Sequence, residues 1–203
     1  MDGLRWLADR GYPVPPTRVL VHPGSDREAI KAALTGTISA RRIYAIRSSA
    51  NVEDGGSTSY AGQFASFLDV SGLEAVVDAV IGVIQSADVS GITSYREHQR
   101  DDRPIKMAVI IQDMVRPAVS GVVFSKNPVT GLTETIVEAV AGGGQQLVAD
   151  GATPDRWLHR WGDFIEAPVH GVLEMAAVRS IVSAVSEIAA RYERPADLEW
   201  VYD

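Results

Sequence analysis

The sequence predicts a protein that mixes α and β elements, and three observations predict it. Apolar runs of strand length recur along the chain: Ile43-Tyr44-Ala45-Ile46, Met107-Ala108-Val109-Ile110-Ile111-Gln112, Gly121-Val122-Val123-Phe124 and Thr135-Ile136-Val137-Glu138. Two longer stretches carry apolar residues at helical spacing instead: Leu73, Val76, Val77, Val80, Ile81 and Ile84, then Val178, Ile181, Val182, Val185, Ile188, Ala189 and Tyr192. With 203 residues and 46% hydrophobic content, the chain can bury one good core or two small lobes.

In chain order, Leu4-Arg5-Trp6-Leu7-Ala8-Asp9-Arg10 reads as the end of a helix stopped by Gly11. Tyr12-Pro13-Val14-Pro15-Pro16 then forces extended chain into the strand Arg18-Val19-Leu20-Val21. A short helix over 26–34 leads to the strand that delivers Arg47, and 64–70 alternates as another strand. The unbroken apolar run at 107–111 is what a sheet buried on at least one face requires. The second helical stripe stops before Pro195, and a last strand begins at Leu198-Glu199-Trp200-Val201-Tyr202. The polar segment 99–104 is the expected lobe boundary, dividing 1–104 from 105–203.

Charge and composition exclude several functions. Nineteen Lys and Arg against 26 Asp and Glu leave a net charge of −7, and the dispersed bases do not make a surface for a nucleic-acid backbone. A nucleotide bound in one pocket remains compatible. The absence of cysteine rules out a disulfide framework and a thiolate metal site. No signal peptide or long apolar span is seen, so a cytoplasmic protein without a membrane partner is expected. His22, His98, His159 and His170 are scattered without metal-ligand spacing.

The richest chemistry lies in Ile46-Arg47-Ser48-Ser49-Ala50-Asn51-Val52-Glu53-Asp54-Gly55-Gly56-Ser57, closed by Ser59-Tyr60-Ala61-Gly62-Gln63. An arginine leaves an apolar strand and meets hydroxyls and glycines whose N–H groups can approach a phosphate chain closely. The planar fork of Arg47 suits phosphate oxygens better than an ammonium point charge would. Ser48 and Ser49 either donate to the same oxygens or cap the turn. Asp197 and Glu199, two apart on a presumed strand, point to one face, where two carboxylates can share a hard cation.

The order of these motifs resembles the ATP-binding domain shared by phosphoenolpyruvate synthase, pyruvate phosphate dikinase and rifampin phosphotransferase. The similarity runs nearly end to end: Gly11-Tyr12-Pro13-Val14-Pro15-Pro16; Arg47-Ser48-Ser49-Ala50 with Glu53-Asp54; Ser59-Tyr60-Ala61-Gly62-Gln63; Gln112-Asp113-Met114-Val115; Ser120-Gly121-Val122-Val123-Phe124 leading to Asn127-Pro128; Glu138-Ala139; Gly142-Gly143-Gly144; Thr153-Pro154-Asp155; and Asp197-Leu198-Glu199-Trp200. The resemblance implies an α+β ATP-grasp fold of two lobes, with mixed or antiparallel sheets flanked by helices and a nucleotide cleft between them. It also implies a reaction: ATP and Mg²⁺ are bound, ATP is split to AMP, and a histidine on a separate swivelling domain carries the phosphoryl group to an acceptor held on another domain. A nucleotide-binding regulatory or assembly module, or a fragment without turnover, is the alternative.

By the same resemblance, Arg47 is the catalytic phosphate ligand, with Ser48, Ser49, Gly62 and Gln63 beside it and 55–59 as a loop over the phosphates. Gln112, Met114 and Val115 match the adenine side, where an amide can pair with the base edge. Asp197 and Glu199 match the metal site. Glu138 is either a further nucleotide contact or a carboxylate paired with an arginine. Gln145 stands where the family pattern has a glutamate. A lysine-bearing segment that precedes this one in the family, and a later strand supplying a Gln and an Arg, are not among these residues, so the chain is expected to be a subunit or a piece that needs its histidine and acceptor domains from elsewhere.

Overall fold

The computed structural model describes residues 2–50, 64–86, 106–143 and 153–202. They form two compact units, Met1–Met114 and Val115–Asp203. The sequence places the boundary at 104, but the strand that follows hydrogen-bonds into the first sheet, so the division falls between Met114 and Val115.

The first unit comprises α1 (Asp2–Asp9), β1 (Thr17–Val21), α2 (Arg27–Leu34), β2 (Ile43–Ala50), β3 (Phe67–Ser71), α3 (Leu73–Ser86) and β4 (Met107–Asp113). Its strands lie in the order β1-β4-β2-β3, each neighbouring pair antiparallel. Asp26 caps α2 by accepting from the N–H groups of Glu28 and Ala29 at 3.0 and 3.4 Å, donors that the first turn would otherwise leave without partners. One face of the sheet, Tyr44, Ile46 and Ala50 with Met107, Val109 and Ile111, is buried in a core with Ile30 and Leu34 of α2 and Val76, Val77, Val80 and Val83 of α3. Arg27 bridges Glu74 at 2.8 Å and also pairs with Asp78, tying α2 to α3 at the surface. Phe64, expected to open a strand, instead sits in this core, and the strand begins at Phe67.

The second unit comprises β5 (Val119–Phe124), β6 (Thr135–Ala141), β7 (Asp155–Arg160), β8 (Asp163–Glu166), α4 (Met175–Tyr192) and β9 (Asp197–Tyr202). Its sheet runs β8-β7-β6-β5-β9, again antiparallel throughout. Helix α4 lays Val178, Val182, Val185 and Ile188 toward β5 and β6, and ends on Glu193 in the left-handed region at φ 57°. Val123, Val137, Ala139 and Trp157 are buried in this unit.

Gly121 is required by close approach. A Cβ there would lie 1.9 Å from the carbonyl oxygen of Glu138 and 2.6 Å from the Trp200 indole. A buried polar network closes the loop between β5 and β6. Asn127 accepts from the N–H groups of Val129 and Thr130 at 2.9 and 3.1 Å and donates to Glu134 at 2.8 Å, and Glu134, 5% exposed, pairs with Arg160 at 2.8 Å. Removing one partner of a buried ion pair strands the other. Glu134→Ala is therefore expected to cost about 3 kcal/mol by urea unfolding, while a surface control such as Asp9→Ala should cost well under 1 kcal/mol, roughly the value of an exposed pair.

Candidate functional site

The candidate side chains lie on two sheet faces, one in each unit. In the first, the β2–β4 ladder pairs Ala45 with Gln112, Arg47 with Ile110 and Ser49 with Ala108. Directly paired residues share a face, and the face alternates along each strand. Arg47, Ser49 and Gln112 thus stand together on the face opposite the helical core, while Ser48 points with Ile46 and Ala50 to the core side. The two serines, equal candidates in the sequence, are separated by the period of the strand. Arg47 and Gln112 sit on neighbouring strands, two residues offset, roughly 8 Å apart along the backbone by strand geometry.

The residues after Gln112 are pinned from both sides. The N–H of Asp113 donates to the carbonyl of Pro16 at 2.9 Å and the N–H of Met114 to that of Ile43 at 2.8 Å, while the Asp113 carboxylate pairs with Arg42. Val115 begins the second unit. Gln112 itself is held by a residue the sequence did not single out: its Nε2 donates to Thr17 Oγ1 at 2.9 Å. The two are register partners in the β1–β4 ladder, and nothing short of that register brings positions so far apart in sequence together.

In the second unit one row crosses the sheet from Arg156 on β7 to Glu138 on β6, Val122 on β5 and Glu199 on β9. The next row on the same face runs Leu158, Ile136, Phe124 and Asp197. Asp197, Glu199 and Glu138 therefore share one face, which lies away from α4. Glu138 is in mid-strand, not at the strand end the sequence suggested, and it faces Arg156 at 3.7 Å; Arg156 also donates to Glu166 at 2.9 Å. The arginine pairing left open by the sequence is present, and Arg156 is a second residue sequence reasoning missed. Burial pushes the Asp197 carboxyl above its ordinary value.

Among the described residues no group of three or more His, Asp or Glu is arranged to hold a metal ion. Asp197 and Glu199, two carboxylates on one face of β9, are a donor set that would suit Mg²⁺, which needs only one or two carboxylates beside substrate phosphates. Gly62, Gln63, 55–59, Gly144 and Gln145 lie outside the described residues. No helix among the described residues is long and apolar enough to cross a membrane.

The family model for the pyruvate phosphate dikinase AMP/ATP-binding domain matches residues 25–164. The chain belongs to that family. It is 33% identical over 189 residues to a rifampicin phosphotransferase of Streptomyces sviceus, covering 79% of this chain and 22% of the relative. It is 31% identical over 186 residues to a phosphoenolpyruvate synthase of Pyrococcus furiosus, covering 88% and 23%. A phosphoenolpyruvate synthase of Aeropyrum pernix is 41% identical over 116 residues, 56% of this chain and 14% of that one. The chain thus spans less than a quarter of the length of these relatives.

Proposed function

We propose that this chain is the ATP-binding part, on an ATP-grasp fold, of a phosphotransferase that splits ATP to AMP, one of the two phosphates passing as a phosphoryl group to a histidine on a separate swivelling domain and the other passing to water as inorganic phosphate. One observation carries the reading. Arg47, Ser49 and Gln112 stand on one face of the first sheet, inside the segment that matches the AMP/ATP-binding family. The pairing of a guanidinium for phosphate with an amide for a base edge is what a nucleotide needs from a protein face.

In this reading Arg47 neutralises phosphate oxygens and holds them in place, with Ser49 donating beside it. Phosphoryl transfer asks the protein for little covalent chemistry and much positioning and charge stabilisation. Asp197 and Glu199 hold Mg²⁺, which when bound spreads charge from the phosphates. Glu138, tethered by Arg156, orients the nucleotide from the same face. Gln112, Met114 and Val115 line the base.

The products decide the reaction class. With labelled ATP, Mg²⁺ and a histidine-domain protein encoded beside this chain, AMP and a phosphorylated histidine are expected; ADP as the product would overturn the reading.

The raised Asp197 carboxyl gives a pH signature. A carboxyl raised by folding contributes stability below its unfolded value and loses it as pH rises through the folded one. Without Mg²⁺, Asp197→Asn is therefore expected to melt no lower than the parent at neutral pH, and to lose that advantage in acid. Protons compete with the cation, so the parent's Mg²⁺ affinity should begin to fall at a higher pH than an ordinary carboxylate would set. Thermal melting of parent and variant across pH checks the first, and calorimetric titration of Mg²⁺ across pH checks the second.

A further inference from the structure

We propose that Thr17 is a positioning residue that turns the Gln112 amide so that the site selects adenine over guanine nucleotides; this rests on the reading of the chain as ATP-binding. The Thr17 hydroxyl has a single proton, and it is donated to the carbonyl of Pro15 at 2.7 Å. Its oxygen can then only accept, so the Gln112 group 2.9 Å away has to be the Nε2 donor. The amide is thereby assigned by chemistry: Nε2 is committed to the β1 side and Oε1 faces the other way, without a hydrogen bond among the described residues.

An outward carbonyl oxygen accepts and does not donate. The exocyclic edge of adenine offers an amino donor at N6, whereas guanine offers an acceptor at O6. A fixed Oε1 therefore pairs with the first and opposes the second. The anchor is rigid at its far end, because Pro15 fixes its own φ and is followed by Pro16, which restricts the backbone that presents the carbonyl. Without the hydroxyl, the amide can rotate about its last bond and offer Nε2 to a guanine oxygen, and the selectivity disappears.

Dissociation constants for ATP and GTP, each with Mg²⁺, measured by calorimetry on the whole chain, test this. The parent is expected to favour ATP by about tenfold or more, the discrimination one well-placed neutral hydrogen bond supplies. Thr17→Val and Thr17→Ala both delete the hydroxyl and should bring the ratio close to one, mainly by improving GTP binding. Thr17→Ser keeps the hydroxyl and should restore the parent ratio. An unchanged ratio in the hydroxyl-free variants, a collapsed ratio in Thr17→Ser, or equal binding of the two nucleotides by the parent would overturn the inference while leaving ATP binding intact. Failure of the parent to bind ATP at all would overturn the underlying reading itself.

Discussion

Gly121→Ala is expected to destabilise the second unit by about 3 kcal/mol or more, the upper range for overpacking a well-filled interior. The added methyl would sit 1.9 Å from the Glu138 carbonyl oxygen and 2.6 Å from the Trp200 ring. The first of these is backbone in a hydrogen-bonded ladder, so no rotamer change relieves it. Relief requires β6 or β9 to move away from β5, and those strands carry Glu138 and the Asp197–Glu199 pair. Chemical denaturation should show the loss, and Mg²⁺-dependent nucleotide binding should weaken even under conditions where the variant remains folded. Gly3→Ala in α1, where an added Cβ also meets nothing within 4 Å, is the control and should not destabilise the protein.

Arg47→Ala is expected to weaken ATP binding by roughly 100-fold, the value of charge-assisted hydrogen bonds to a phosphate. Arg47→Lys keeps the charge but loses the planar fork, so it should recover only part of that loss. Thermal melting separates a binding effect from a folding effect. Measured against each variant's own melting temperature without ligand, both should gain less than the parent when ATP and Mg²⁺ are added, since a ligand stabilises only by its affinity for the folded state.

The elements that set these residues in place were legible wherever periodicity was strong. The stripe from Leu73 to Ile84 became α3, the stripe from Val178 to Tyr192 became α4, and the apolar run at 107–111 became a strand central to its sheet. Ends were less legible. Phe64 reads as part of an alternating strand, yet its large ring is worth more buried beneath α3 than paired at a sheet edge, and β3 starts three residues on.

Register was not legible at all, and most of the candidate site depends on it. A period of two places Ser48 and Ser49 on opposite faces, but only the pairing of β2 with β4 shows which of them joins Arg47. Asp197 and Glu199 could be placed on one face from spacing alone, because that inference needs a single strand. The approach of Arg156 to Glu138, and of Thr17 to Gln112, each needs two strands in a known register, and no local pattern in either segment announces it. The lobe boundary was displaced for the same reason: Gln112, Asp113 and Met114 follow a polar segment but are hydrogen-bonded back onto the first unit.

Arg47 as the ligand of the ATP phosphates is the proposal on which the rest depends, and calorimetric titration of ATP with Mg²⁺ into the parent, Arg47→Ala and Arg47→Lys tests it most directly. One binding event is predicted in the parent, weakened most by Arg47→Ala and less by Arg47→Lys, which keeps the charge without the planar fork. Binding that ignores either substitution, or the absence of any ATP binding by the parent, would contradict it.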